Sequence, residues 1–328
     1  MSSVTTLTVG FIGLGIMGGP MASNLQKAGY RIVVNDVRRE AAKPHLDAGA
    51  IWADSPRALA EQCEVMFTCL PSLAAIESVA LGPDGLVNGI RKQHAYFEMS
   101  TNSTDLLKRL YTAFGERGAH VLDAPISGGA PGARRGRLAA FVGGDKDTYR
   151  LYEPVVRAMC DNPIHVGPIG SGLVTKLVHN CASQCIQAAI AEVFVMGVKA
   201  GAEPLSLWEA IRLGSIGRRR TFDGLVDQFL PGNFDQPQAA LRIVEKDMML
   251  ATELGRSVGA PMRIANLALA DITEAMNRGW AERDCRSVML LPQERVGVNI
   301  KVDPDDIQEV LRKDLPAPTD TRYGSGIK

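Results

Sequence analysis

Gly13, Gly15 and Gly18, in the run Gly13-Leu14-Gly15-Ile16-Met17-Gly18, carry the spacing of a phosphate-holding turn. The first glycine permits a tight turn, the second lets the backbone approach a pyrophosphate, and the third lets helix and strand pack closely. The context fits, because residues 7–12 before the turn read as a strand and residues 19–28 after it as a helix. The free amides at that helix start are suited to hold phosphate charge. A second strand-like run, 31–35, ends at Asn35-Asp36, the spacing at which an acid meets the adenosine ribose. A carboxylate there accepts from both ribose hydroxyls and repels a 2′-phosphate, which favours NAD over NADP. Arg38 and Arg39 follow closely and could soften that preference.

A second constellation lies on the long apolar stretch 173–200. Leu173, Leu177, Val178, Cys181, Cys185, Ile186 and Ile190 make most of its helical surface apolar, so it reads as a buried helix. Lys176 and Asn180 stand one turn apart on its one polar line, which Gln184 and Gln187 extend. A lysine in such a place is either a paired structural charge or a functional group, and we read it as functional. His179 falls off that line and reads as a packed, hydrogen-bonded histidine. Ser127-Gly128-Gly129, after a strand end, offers a hydroxyl and bare backbone, a suitable nest for a carboxylate. Arg218-Arg219-Arg220 reads first as a solvated loop; one of the three could meet a second anionic group of a substrate.

The elements that must position these residues change character along the chain. In the first half, strand-like runs at 7–12, 31–35, 64–70, 95–98, 120–123 and 139–142 alternate with helical patterns such as Leu106, Leu107, Leu110 and Phe114. Alternation of this kind predicts an α/β domain with a doubly wound, largely parallel sheet. Beyond Pro168-Ile169-Gly170-Ser171-Gly172, helical patterns dominate at 173–200, 205–213, 238–258, 262–278 and 305–314. The expected organisation is a nucleotide-binding domain over 1–169, an all-helical domain over 170–302, and a C-terminal helix and tail over 303–328.

The 36 basic and 36 acidic residues balance, so there is no electrostatic ground for a nucleic acid or an anionic membrane as partner. The six cysteines form no CxxC pair and no zinc spacing with the five histidines; they read as buried thiols of a reducing compartment, and no metal is expected. Neither a signal peptide nor a membrane span is apparent, and the expected location is the cytoplasm. The surplus apolar surface of the 173–200 helix predicts a homodimer or homotetramer.

Read together, these segments resemble the β-hydroxyacid dehydrogenases, the family of 3-hydroxyisobutyrate dehydrogenase, tartronate semialdehyde reductase and 6-phosphogluconate dehydrogenase. The resemblance is carried by the glycine turn continuing to Met21-Ala22-Ser23-Asn24-Leu25, by Asp123-Ala124-Pro125-Ile126-Ser127-Gly128-Gly129, by Gly170-Ser171-Gly172 with Lys176 and Asn180, and by Lys246-Asp247. It implies an N-terminal Rossmann-type domain, an NAD cofactor and a small 3-hydroxy acid substrate. It also implies that Leu70, Pro71 and Thr101 line the nicotinamide, that Ser127, Gly128 and Gly129 hold the substrate carboxylate, and that Lys246 lies beside the cofactor. Lys176 then acts as acid and base: it takes the hydroxyl proton as hydride leaves for the nicotinamide, and returns a proton in reverse, while Asn180 orients substrate and lysine. A free lysine, with a pKa of about 10.4, is a poor base at neutral pH; burial beside a cationic ring lowers such a group towards about 7–8. The family's usual Asn-Asn is His179-Asn180 here, and Ser183 stands where the sugar-acid enzyme has its second proton-transfer glutamate, which disfavours oxidative decarboxylation. The competing readings are a 2-hydroxy-3-oxopropionate or sugar-acid reductase, an imine reductase on the same fold, against which Lys176 argues, and a non-catalytic dinucleotide-binding module.

Overall fold

The computed structural model describes residues 7–199, 201–214, 223–257 and 262–312. Short apolar runs form β1 (Thr8–Ile12), β2 (Arg31–Asn35), β3 (Ile51–Trp52), β4 (Val65–Thr68), β5 (Ala95–Glu98), β6 (His120–Asp123), β7 (Ile126–Ser127), β8 (Ala139–Gly143) and β9 (Asn162–Gly167). They make one sheet in the order β3-β2-β1-β4-β5-β6-β8-β7, with β9 paired to β8. From β3 to β6 every pairing is parallel; β8 runs antiparallel to β6 and β7, and β9 runs parallel to β8. The 3-2-1-4-5-6 order is that of a doubly wound dinucleotide-binding sheet, which takes its ligand where the order reverses, beside β1. Every residue of β1 is buried, as a parallel strand covered on both faces requires.

Helices α1 (Gly18–Lys27), α2 (Lys43–Asp47), α3 (Pro56–Ala60), α4 (Leu73–Leu81), α5 (Thr104–Gly115), α6 (Gly129–Arg135) and α7 (Lys146–Arg157) connect the strands. Four of them begin at a side-chain cap: Ser55, Ser72, Ser103 and Asp145 each accept the N–H three residues on. Leu106, Leu107, Leu110 and Phe114 of α5 are buried along one face, as their spacing predicts. Phe67 stacks between Phe11 and Phe97, with centroids at 6.4 and 5.0 Å, and ties β1, β4 and β5 on one side of the sheet.

The later elements are helical: α8 (Ser171–Lys199), α9 (Pro204–Leu213), α10 (Leu241–Ser257), α11 (Arg263–Asn277), α12 (Leu290–Val296) and α13 (Pro304–Arg312). Residues 238–240, expected at the start of a helix, lie before it instead: Ala240 bridges Asp284, and Gln238 donates its N–H to the Asp284 carboxylate. The chain groups into two compact units, Met1–Cys181 with Asp247–Pro261, and Ala182–Lys246 with Met262–Lys328. Their division therefore falls within α8 and within α10, whereas the Gly-Pro-rich segment 168–172 runs into the first turn of α8. The second unit has its own core, in which Phe194 meets Phe229 edge-on at 5.9 Å beside Trp208, Leu230 and Met289.

Asp123, at the end of β6, caps α8 from outside the helix. Its carboxylate accepts the N–H of Gly170 at 2.7 Å and of Leu173 at 2.6 Å. A Cβ on Gly172 would lie 2.1 Å from the Phe141 carbonyl oxygen and 2.7 Å from that of Asp123, so the first turn of α8 sits directly on β6 and β8 backbone. Burial pushes the Asp123 carboxyl up to about 6, against the pull of these N–H groups. All six cysteines are free thiols, and burial pushes Cys63, Cys160 and Cys285 up to about 12, which makes them inert. No helix of the described residues is long and apolar enough to cross a membrane.

Candidate active site

Each glycine of the turn has a separate local reason to be there. Gly13 sits at φ +93°, and a Cβ on it would lie 2.3 Å from the Cys69 carbonyl oxygen. A Cβ on Gly18 would lie 1.9 Å from the Gly13 carbonyl oxygen and 2.9 Å from the Phe11 ring. At Gly15 nothing lies within 4 Å of the added carbon. Gly13 and Gly18 thus serve the turn and the helix–strand contact, while Gly15 keeps open the space in front of the loop. Leu14 lies under it, and Ile16 and Met17 lead into α1. Unlike α3, α4, α5 and α7, α1 has no side-chain cap and no acid in its first turn, so its positive end is left for an anion.

Asp36 is fixed beside this loop. One carboxylate oxygen accepts the Leu14 N–H at 2.7 Å and the other the Arg38 N–H at 2.8 Å. Each oxygen retains accepting capacity for a ribose hydroxyl. The Arg38 Nε lies 3.8 Å from Asp36, whereas Arg39 stacks over the Trp52 ring at 5.1 Å and lies 3.8 Å from Asp54. The Asn35 side chain points away from the loop and donates to the Ala53 carbonyl at 2.9 Å, while the Asn35 backbone carbonyl accepts the Gly13 N–H at 3.1 Å. These groups together fit a dinucleotide: an open backbone turn, an uncapped helix start, and an acid with spare lone pairs.

The next loops along the sheet are tied to each other. Leu70 donates its N–H to Ser100 Oγ at 2.8 Å, and the Ser100 N–H reaches the buried Glu98 carboxylate at 2.9 Å. Thr68 Oγ1 and the Tyr96 hydroxyl meet at 2.8 Å in the same buried network. Leu70 and Thr101 are thereby set on a rigid base, with Pro71 exposed and Thr101 buried.

Ser127 ends β7, and Gly128 and Gly129, at φ +133° and +60°, turn the chain into α6. A line of contacts runs from this turn to α10. Ser127 Oγ meets His179 Nε2 at 3.3 Å, His179 Nδ1 meets Asn180 Oδ1 at 3.1 Å, and Asn180 Nδ2 donates to Asp247 Oδ2 at 2.5 Å. Lys176, half-buried, lies one turn before Asn180 on α8. Lys246 occupies the position before Asp247 on α10 and belongs with the second unit. Two residues of this line had no role in the sequence reading. Asp247 is 67 positions from Asn180, and only its place beside Lys246 in a recognised pair marked it. His179 is hydrogen-bonded, as expected, but it is exposed and bonded to Ser127 and Asn180 rather than packed away. Arg218, Arg219 and Arg220 lie outside the described residues.

Comparison with known proteins agrees with this arrangement. Residues 8–167 match the family model of the NAD-binding domain of 6-phosphogluconate dehydrogenase. Residues 170–291 match that described as the NAD-binding of NADP-dependent 3-hydroxyisobutyrate dehydrogenase. The chain is 34% identical to a 3-hydroxyisobutyrate dehydrogenase of Pseudomonas aeruginosa over 265 residues, 79% of this chain and 89% of that one. It is 34% identical to an NAD-dependent L-serine dehydrogenase of the same organism over 289 residues, 86% of this chain and 97% of the other. Among solved structures, 3-hydroxyisobutyrate dehydrogenase of Mycobacterium tuberculosis with L-serine matches with a TM-score of 0.78 and 28% identity, covering 88% of this chain and 99% of that one. The chain belongs to the β-hydroxyacid dehydrogenase family, and is an NAD(P)-dependent hydroxyacid dehydrogenase of the 3-hydroxyisobutyrate dehydrogenase type.

Proposed function

We propose that the protein interconverts a short 3-hydroxy acid, 3-hydroxyisobutyrate or a close analogue, and the corresponding aldehyde acid, with Lys176 as the acid–base group. The observation that carries the reading is the fixed line from Ser127 through His179 and Asn180 to Asp247, with Lys176 one turn away on the same helix. Ser127, Gly128 and Gly129 receive the carboxylate, and Asn180, held by Asp247, orients the hydroxyl towards the lysine. The bound nicotinamide supplies the hydride acceptor. Lys176 takes the hydroxyl proton on oxidation and returns it on reduction. Gly13 to Gly18 and Asp36 hold the dinucleotide, Leu70, Pro71 and Thr101 border its nicotinamide half, and Lys246 stands near it. A preference for NAD is supported by Asp36, which keeps lone pairs for the ribose hydroxyls, and by Arg39, which is engaged with Trp52 and Asp54. The relatives named for 3-hydroxyisobutyrate and L-serine support a small substrate with a hydroxyl on the carbon β to the carboxylate.

The test is turnover with a panel of 3-hydroxy acids, followed by nucleotide reduction, in wild type, Lys176→Ala and Lys176→Arg. Both variants should lose about 10²–10⁴-fold in kcat and keep cofactor affinity and melting temperature, since guanidinium cannot accept the proton. Near-full activity in Lys176→Arg would refute the acid–base role.

A further inference from the structure

We infer that His179 takes up a proton when the substrate carboxylate binds, and so sets the direction in which Ser127 donates. The inference rests on the reading of Ser127 as the carboxylate seat. It follows from counting donors along the line of contacts. Asp247, as a carboxylate, only accepts, so the Asn180 amide presents its Nδ2 to Asp247 and its Oδ1 to His179. An amide oxygen also only accepts, so His179 Nδ1 carries the hydrogen between them. In a neutral ring the other nitrogen is then an acceptor, and the hydrogen shared with Ser127 comes from the serine hydroxyl.

With a neutral His179, therefore, the Ser127 hydroxyl proton is committed to the ring and its outward face carries lone pairs. A carboxylate, itself only an acceptor, would meet an acceptor. One proton from solvent, added at His179 Nε2, reverses the polarity. The imidazolium then donates from both nitrogens, to Asn180 and to Ser127, and the released serine hydrogen turns to the incoming carboxylate. The one covalent change is the N–H bond formed at Nε2 with a proton drawn from the buffer, and the added positive charge balances the anion. His179 is exposed, so the proton has a direct route. Lys176 lies one turn earlier on the same helix, and Asp247 of α10 stands behind Asn180. Ser127 from β7 and the Phe141 ring from β8, at 5.8 Å, bring no charge. His179 acts here as a positioning residue, through Ser127.

The experiment is calorimetric titration of 3-hydroxyisobutyrate into enzyme saturated with reduced cofactor, a combination that cannot transfer hydride to an alcohol. It is repeated in buffers of different ionisation enthalpy at about pH 8. Wild type should take up about one proton per ligand, with affinity falling about tenfold for each unit by which pH is raised. His179→Asn, which keeps a polar side chain that cannot take up a proton, should bind without uptake and lose the pH slope. The methyl ester should show no uptake with either protein. Binding to wild type without proton uptake overturns the inference and leaves the carboxylate seat standing. Equal uptake in His179→Asn also overturns it and assigns the proton to Lys176. Absence of binding by wild type refutes the carboxylate seat itself, and the inference with it.

Discussion

Two glycine substitutions three residues apart should fail in opposite ways. At Gly18 an added Cβ would meet the Gly13 carbonyl oxygen at 1.9 Å and the Phe11 ring at 2.9 Å, and neither can yield without moving β1. Overpacking of this kind costs about 1–3 kcal/mol or more. At roughly 2–4 °C per kcal/mol for a unit of this size, a cost of 3 kcal/mol lowers Tm by about 6–12 °C. At Gly15 the added carbon meets no protein atom within 4 Å. Gly15→Ala should leave the free protein unchanged, or raise its stability by about 0.4–1 kcal/mol by restricting the unfolded chain. Its methyl group instead occupies the space into which a pyrophosphate must come. The same overpacking cost then falls on binding, about 5- to 150-fold in Kd for NADH. Thermal melting without cofactor and fluorescence titration with NADH separate the two effects. Wild-type NADH affinity in Gly15→Ala, or a Tm loss in it equal to that of Gly18→Ala, would refute this division of labour.

Asp36→Asn should move the kcat/KM ratio towards NADP, and a wild type that prefers NADP tenfold, about 1.4 kcal/mol, would contradict the role given to Asp36. Asp123 should make the fold less stable as pH rises. Its folded pKa of about 6 exceeds the ordinary aspartate value of about 3.9, so its contribution is complete below that value and lost through pH 6. Denaturation curves of wild type and Asp123→Asn should diverge by up to about 3 kcal/mol between pH 4 and 7; parallel pH profiles would exclude the linkage. Val174, Val178 and Ile186 expose apolar side chains along α8, and light scattering should show a species larger than the 35.2 kDa chain at micromolar concentration.

The elements legible in the sequence were those whose local chemistry coincides with their final setting. The strands from β1 to β6, apart from β3, are short apolar runs ended by polar or glycine residues, and parallel strands covered on both faces demand that pattern. β3 and β7 have two residues each, too few for any period to register. β9 contains Pro163 and His165, which read against a strand, and it forms only because β8 offers a free edge. The short α12 follows a 3₁₀ turn and also escaped notice. In the candidate site, the meeting of the glycine turn with Asp36 was readable because they are 18 to 23 residues apart in one βαβ unit. The rest was read only in part. Lys176 and Asn180 share a helix face, but the Asp247 that fixes Asn180 arrives through tertiary packing, and the hydrogen bond of His179 to Ser127 spans 52 positions.

The seating of α8 on β6 and β8 gives the helix a phase as well as a place. Asp123 grips it at Gly170 and Leu173, and Gly172 leaves no room for it to rotate about its axis. The side chains of α8 as far as Cys181 are therefore counted from that grip, at about 100° per residue. One residue inserted between Gly172 and Lys176 would keep the helix and the sheet, yet swing the lysine by about 100° about the helix axis. The interval from 173 to 176 is thus a measured distance in angle, which substitutions preserve and insertions do not.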